Sequence, residues 1–241
     1  LLATIEKKTA IKGHPVIILA SELARDLLTL PALTQDSTIV IRKAAVGLYV
    51  WDQMLYLSQS GQSYFQFALS ACGIPEKEFD LRRHCLPEVI SAQRDIFLYH
   101  ELGELTDTVF DRSLYRDIIA ALPHTRTELL VRTVKDMLAD TCPEGTLSHI
   151  VRSRQTAALG FYTAFLDGLR KKLFPEIRTT CACFMRDGDW SAVATMVSAA
   201  HARASTMAHT ISSQFVEGMQ HHSPAWVDDE LSRRYIDPLT S

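Results

Sequence analysis

The sequence predicts an all-α fold, arranged as a single irregular multi-helix bundle. Apolar residues recur at helical spacing over most of the 241 residues. The 10 glycines and 9 prolines lie mostly between these periodic segments, where helices end. Hydrophobic residues make up 47% of the chain and charged residues 22%, which is typical of a globular protein with a buried core. We therefore expect one large helical domain.

The first two helices are predicted from prolines, capping residues and apolar spacing. Residues 15–31 form the first, because a proline suits the first helical turn and another proline follows the apolar stripe. Asp36 and Ser37 predict the N-cap of a second helix that runs to about residue 60. The β-branched run Thr38–Ile41 is also compatible with a strand, but no partner strand follows it. We therefore favour a helix for this run.

The remaining segments also show helical spacing. We predict helices over residues 63–72, 87–105, 111–122, 125–140, 146–173, 189–218 and 227–235, with a short one after Pro175. Residues 1–220 then form one helical domain, with a subdivision near 73–86, and residues 221–241 form a C-terminal arm. Because an arm on a helical body often packs on a partner subunit, we expect a homo-oligomer.

Charge and composition argue against several classes of protein. The net charge is −3 and the pI is near 6.3, so the basic surplus needed to bind a phosphate backbone is missing and we expect no nucleic-acid partner. No apolar run approaches the ~18–20 residues that span a bilayer, so we expect no membrane partner. The cysteine count of five is odd and no C-x-x-C occurs, which is typical of free thiols in a reducing cytoplasm.

The clearest chemical motif is YHELGEL, residues 99–105. In a helix, His100 and Glu104 face the same way at a spacing of four, and Glu101 and Glu104 do so at a spacing of three. One turn can therefore offer an imidazole and two carboxylates to a divalent metal ion, and a nitrogen with two oxygens suits zinc or a transition metal. Gly103 in the helix interior costs roughly 1 kcal/mol relative to Ala, which indicates close approach of another segment.

Further acidic groups follow on the helix predicted over 125–140. Asp136 and Asp140 are four residues apart and point the same way, so they can complete a site begun by His100. The predicted metal ligands are His84, His100, Glu104 and Asp140, and the predicted catalytic carboxylates are Glu101 and Asp136. A metal-dependent hydrolase would use such a site to activate water against a phosphate or an amide, with a carboxylate to take the proton. The small-molecule substrate is unknown.

A second interpretation needs no chemistry. His100 and Glu104 then form an exposed pair worth about 0.3–0.5 kcal/mol on a solvated helix face. Glu128, Arg132, Asp136 and Asp140, at steps of four, form a surface ladder of ion pairs. The protein would be a helical interaction or regulatory module that self-associates through its long Ala-rich helix and its C-terminal arm.

The stretch FLYHELGEL resembles the metal-binding helix of the HD phosphohydrolases, an all-helical superfamily. His100-Glu101 stands where those enzymes have a His-Asp doublet, so this chain has a carboxylate one methylene longer at that position. The resemblance implies that His84 corresponds to the first histidine of the family. Asp136 or Asp140 corresponds to its last aspartate. The sequence lacks the motifs of several other hydrolase and nucleotide-binding families. It contains no Glu-x-x-His, HExxH, G-x-S-x-G or Walker A motif.

A longer resemblance covers roughly residues 95–190. The segments HELGEL, PHTRTELLVRTVKDMLADT and LGFYTAFLDGLRKKLFPEI are similar to those of a small bacterial family of all-helical proteins without an established function. This resemblance implies a helical fold and a bacterial, cytoplasmic protein. It implies no activity and no functional residue.

Overall fold

The all-α prediction is wrong for the N-terminal part of the chain. The computed structural model describes residues 2–24, 30–74 and 86–239. Its first elements are four strands that form one mixed sheet in the order β1-β2-β4-β3. The strands are β1 (Leu2–Ile11), β2 (His14–Ala24), β3 (Ala32–Gln35) and β4 (Thr38–Arg42). With the helices that follow, this sheet makes the fold α+β.

Two-residue turns explain why this region forms strands. Lys12 and Gly13 join β1 to β2 with φ values of 51° and 84°, and Asp36 and Ser37 join β3 to β4 with φ values of 47° and 65°. Positive φ at both central residues is the type I′ pattern, which matches the twist of paired strands. Asp36 and Ser37 therefore form a hairpin turn and not the helix cap that the sequence predicted.

The partners of β4 precede it in the sequence. Val16 of β2 pairs with Ile39 in parallel register, and Thr34 of β3 pairs with Ile39 in antiparallel register. We predicted a helix over Thr38–Ile41 because no strand followed, and that reasoning overlooked strands upstream. β-Branched side chains pack well on a pleated surface, and here they form its buried face.

Helices joined by turns and short connections follow the sheet in the described chain. They are α1 (Lys43–Leu55), α2 (Gln62–Ala71), α3 (Leu86–Thr106), α4 (Arg112–Ala121), α5 (Arg126–Thr141), α6 (Thr146–Ser153), α7 (Thr156–Ala164), α8 (Gly168–Leu173), α9 (Glu176–Asp187), α10 (Trp190–His221) and α11 (Pro224–Tyr235). The single helix predicted over 146–173 is three helices, because Arg154 in the left-handed region ends α6 and the chain turns again before Gly168. No described helix is long and apolar enough to cross a membrane.

Helix α5 lies in the centre of the main core, which its fully buried Leu130, Val134 and Leu138 help to form. Helix α11 packs against α5 and α10 of the same chain, and the backbone N–H of Thr127 donates to Asp228 Oδ1 at 3.0 Å. The domain boundary at residue 220 stays a prediction. The predicted subdivision near 73–86 falls largely on residues that lie outside the described ranges.

Helix α3 links the sheet to α5. Leu98 and Leu102 pack with the buried face of the sheet. Its residue Gly103 lies directly against α5, because a Cβ built at this position would be 2.0 Å from the backbone oxygen of Ala139. The close approach predicted from the interior glycine is therefore confirmed. It places the polar side of α3 against the C-terminal half of α5.

We expect Gly103→Ala to lower the free energy of unfolding by about 1–3 kcal/mol, the usual cost of overpacking. The added methyl group meets backbone, which cannot rotate away. Gly47→Ala is the matched control in α1, where a Cβ would be 3.4 Å from Ile90 Cδ1. It should be neutral or stabilising by up to about 1 kcal/mol, as helix propensity predicts. Urea unfolding measures both, and equal values for the two variants would contradict the close contact.

Candidate metal centre

Asp140, near the C-terminal end of α5, is the centre of a buried hydrogen-bond network. Its side chain is 1% exposed. Oδ1 accepts a hydrogen bond from His100 Nδ1 at 2.8 Å, and Oδ2 accepts from the Tyr162 hydroxyl at 2.7 Å and from Arg170 Nη1 at 3.3 Å. Burial raises the pKa of Asp140, but His100, Arg170 and Tyr162 lower it more, so the net pKa lies below the ordinary value. Both oxygens of this carboxylate are thus engaged by donors of the chain.

The hydrogen bond from Asp140 determines how the His100 ring is used. Because Nδ1 donates to Asp140, the free ring nitrogen is Nε2, which lies 4.0 Å from Glu104 Oε1. One potential ligand atom each from His100, Glu104 and Asp136 lies within 4.8 Å of the other two. A cation bonded at about 2.0–2.2 Å to each fits between atoms spaced in this way once the side chains close on it.

Asp136, one turn before Asp140, is the member of this cluster that lacks a protein partner. Within residues 2–24, 30–74 and 86–239, no hydrogen bond or ion pair reaches its carboxylate. Burial raises the pKa of Asp136 above its ordinary value, although His100 and Arg170 oppose the shift. A partly buried carboxylate without a donor is costly, and a bound cation or a water molecule would satisfy it.

The ionisation of His100 also depends on the cluster. Burial lowers the pKa of His100, but Asp140, Asp136 and Glu104 raise it more, to about 9. The metal-free ring is therefore an imidazolium at neutral pH, with Nε2 carrying a proton. A metal ion would have to displace that proton.

Glu104 is shared between the cluster and a lysine. The Lys135 ammonium donates to Glu104 Oε1, which is the oxygen nearest to His100 Nε2. A cation bound at Glu104 would compete with Lys135 for this oxygen. In this structure the Lys135 ammonium therefore occupies the carboxylate oxygen that a metal ion would use.

A cavity of about 120 Å³ opens beside His100 and Asp136. Aromatic side chains form much of its wall, and burial raises the pKa of one of them, Tyr49, to about 12. Gln93 also lines the cavity, is 1% exposed, and carries an amide nitrogen, Nε2, without a hydrogen-bond partner among the described residues. A buried donor of this kind calls for an acceptor in the cavity, such as water or a ligand oxygen.

The structure brings together His100, Glu104, Asp136 and Asp140 from the residues that the sequence proposed. It does not bring Glu101 to them, because Glu101 Oε2 accepts a hydrogen bond from the Thr34 hydroxyl of β3 at 2.7 Å. The prediction for His84 lies outside the described residues. The assigned catalytic and ligand roles stay predictions.

Sequence reasoning missed three polar side chains of this centre. Gln93 precedes His100 by seven residues on α3, so helical spacing alone could have placed both on one face. Tyr162 and Arg170 belong to α7 and α8, and no local pattern links them to Asp140. Arg170 reaches Asp140 only because the chain turns between α7 and α8, where we predicted a continuous helix.

Comparison with known families supplies a classification. Residues 48–234 match the C-terminal domain of a family of unknown function, DUF6866. The chain belongs to this family. No curated protein and no solved structure matches it. The DUF6866 match contains every residue of the candidate centre and begins within α1, beyond the sheet. The expectation of a family without an established function is confirmed, whereas bacterial origin, cytoplasmic location and the likeness to HD phosphohydrolases stay predictions.

Proposed function

We propose that this DUF6866 domain binds one divalent transition-metal ion through His100 Nε2, Glu104 and Asp136 and acts as a metal-dependent hydrolase. The observation that carries the proposal is the hydrogen bond between Asp140 and His100 Nδ1. Metal-binding histidines usually donate their second ring nitrogen to a carboxylate or carbonyl, which sets the tautomer and the ring orientation. Here that carboxylate is fully engaged, the other ring nitrogen lies 4.0 Å from Glu104 Oε1, and one ring nitrogen lies within 4.8 Å of an Asp136 oxygen.

The ligand set fits a catalytic centre better than a structural one. Catalytic zinc sites use three protein ligands and leave a fourth position for water or substrate, and such an ion brings the pKa of its water close to neutrality. The cavity of about 120 Å³ beside His100 and Asp136 has room for a few water molecules. Gln93 Nε2 would donate to an oxygen held there, and Arg170 would offset negative charge that develops on it.

The competing interpretation is a structural network of charges. In that case His100 stays an imidazolium between Asp140 and Glu104, and Lys135 stays on Glu104. Among the described residues, this arrangement leaves the buried Gln93 amide nitrogen without an acceptor and the partly buried Asp136 carboxylate without a donor, which favours the metal site.

Zinc titration of untagged, metal-free protein tests the proposal. We expect one Zn²⁺ per chain, with an affinity that rises about tenfold per pH unit between pH 6 and 8, because each ion displaces one proton from His100. The sign follows from a pKa of about 9, since the proton must leave over this whole range. Calorimetry in two buffers of different ionisation enthalpy measures the proton released. His100→Ala should remove the binding, and a saturable site that persists in this variant would contradict the assignment.

Hydrolysis is then tested on the metal-loaded protein with phosphate-ester and amide substrates. Turnover that depends on added metal and is lost in His100→Ala would support the hydrolase. Stoichiometric metal without turnover on either class would reduce the proposal to a metal-binding domain.

A self-associating module remains the alternative function, and one observation favours it. Leu48, Trp51 and Leu55 are 43%, 40% and 64% exposed, and their spacing places them on one face of α1. A second copy of the chain covering this face would bury them. The zinc titration separates the two functions, because a module of this kind requires no bound metal.

A further inference from the structure

A second and larger cavity, of about 460 Å³, is lined in part by Glu104, a member of the cluster described above. Its wall includes the side chains of Leu105, Phe110 and Tyr115, and the rings of Phe110 and Tyr115 meet edge to face at a centroid distance of 5.8 Å. This volume lies within the range of small-molecule sites. The apolar part of the wall would suit an aromatic or aliphatic body.

Three cationic side chains line the same cavity, and among the described residues only Lys135 forms an ion pair with an acidic group of the wall. Arg112 Nη2 donates to the Leu105 carbonyl oxygen at 2.8 Å and thereby caps the C-terminal end of α3. Lys135 is held by Glu104. Arg116 is exposed at the cavity wall and forms no ion pair with an acidic side chain in the described ranges, so its guanidinium can accept an anionic ligand.

One of the two acidic groups of this wall is paired, because Glu104 accepts from Lys135. The backbone N–H groups of Val109 and Phe110 lower the pKa of Asp107, but burial raises it more. The wall carries the positive charges of Arg112, Arg116 and Lys135 against the negative charges of Glu104 and Asp107, so its net charge is positive. A cation bound at Glu104 would add a second positive charge, because it would release Lys135 from that carboxylate.

We propose that this cavity binds a small organic oxyanion, a phosphate ester or a carboxylate on an apolar body, with Arg116 as its anchor and Lys135 as a second contact that becomes available when Glu104 is taken. This proposal rests on the proposed metal site, because the oxyanion bound here would be the substrate on which that site acts. Guanidinium groups pair with planar or tetrahedral oxyanions through two parallel hydrogen bonds.

The test uses metal-free protein, with phenyl phosphate and benzoate as probes and benzyl alcohol as the neutral comparison. We expect both anions to bind more tightly than benzyl alcohol, and the stronger of the two identifies the head group. Arg116→Gln should weaken anion binding about tenfold, the usual effect of removing a charge-assisted hydrogen bond. Arg233→Gln, on the exposed surface of α11, should leave binding unchanged.

Glu104→Gln separates this proposal from the metal proposal, because the two predict opposite effects. The variant loses a metal ligand, so zinc binding should fall, but it also frees Lys135, so phenyl phosphate binding should tighten about tenfold. Asp117→Asn removes a negative charge beside Arg116 without touching Lys135 and should change binding by less than about twofold. Anion binding no tighter than that of benzyl alcohol, or unaffected by Arg116→Gln, would overturn the proposal even if zinc binds as expected.

Discussion

Replacement of Asp140 by Ala should lower the free energy of unfolding by about 3–5 kcal/mol, the range measured when one partner of a buried ion pair is removed. The variant leaves the His100 imidazolium, the Arg170 guanidinium and the Tyr162 hydroxyl without their shared acceptor. Tyr162 is buried, and the His100 and Arg170 side chains are only 23% and 27% exposed, so water replaces the lost acceptor only in part. Urea unfolding of the metal-free protein at pH 7 measures the loss.

Glu230→Ala is the control for this prediction. Glu230 pairs with Arg233 at 2.9 Å on the surface of α11, where Arg233 is 68% exposed. Exposed pairs contribute about 0–1 kcal/mol. A loss below about 1 kcal/mol for Asp140→Ala, similar to that of the control, would show that the network around Asp140 does not stabilise the fold.

The pH dependence of this loss follows from the pKa shifts. His100 has a folded pKa of about 9, raised above the ordinary 6.5, so its contribution is complete below pH 6.5 and disappears as the pH rises through 9. Asp140 has a lowered folded pKa, so its contribution is complete above its ordinary value of 3.8 and disappears as the pH falls through its folded pKa. The difference between wild type and Asp140→Ala should therefore be largest between about pH 4 and pH 6.5.

Asp136→Asn should weaken zinc binding by at least about 100-fold while the protein stays folded. Loss of a group that merely orients a ligand costs about 10–100-fold in affinity, and loss of a direct ligand should cost no less. The amide keeps the shape of the carboxylate but not its charge. Asp136 makes no hydrogen bond within the described part of the chain, so stability should hardly change or should increase.

Glu101→Gln is the matched control, since Glu101 adjoins His100 in the sequence but bonds to Thr34 of the sheet. It should bind zinc as the wild type does. The opposite pattern, with binding lost in Glu101→Gln and kept in Asp136→Asn, would favour the ligand set implied by the resemblance to HD phosphohydrolases.

The helical part of the fold was largely accessible from the sequence. The predicted start of the helix over 125–140 is confirmed by the N-cap at Thr125, whose Oγ1 accepts from Glu128 N at 3.1 Å. The predicted start of the helix over 189–218 is confirmed by the cap at Asp189. These signals are local, since a cap involves residues two or three positions apart. Gly103, in the interior of α3, was also a local signal, because it predicted the close packing at its own position.

The sheet was missed because its signals are not local. Ile39 and Ile41 belong to a run that suits a helix or a strand equally, and only the pairing with Val16 and Thr34 decides between them. The turn Lys12-Gly13 was a local signal that we did not use. The pairing of Ile39 with Val16 joins residues 23 positions apart, and one-dimensional periodicity does not contain such a contact.

The candidate centre was predictable only in part, because some of its contacts also join segments that are distant in the sequence. His100 and Glu104 share one helix face, and Asp136 and Asp140 share another, so spacing identified both pairs. Spacing does not show which of the two aspartates hydrogen-bonds to the His100 imidazole. That depends on how α3 crosses α5 at Gly103 and Ala139. Glu101 was assigned to the site because it lies three residues before Glu104, but its side chain bonds to Thr34 of the sheet instead.

Anomalous diffraction from crystals soaked with Zn²⁺ tests the metal centre most directly. We expect one strong peak per chain, about 2.0–2.2 Å from His100 Nε2 and from a carboxylate oxygen of both Glu104 and Asp136, with Lys135 moved away from Glu104. Asp140 should remain bonded to His100 Nδ1. No peak at this position, or a peak confined to other histidines such as His221 and His222, would contradict the claim that the cluster is a metal centre.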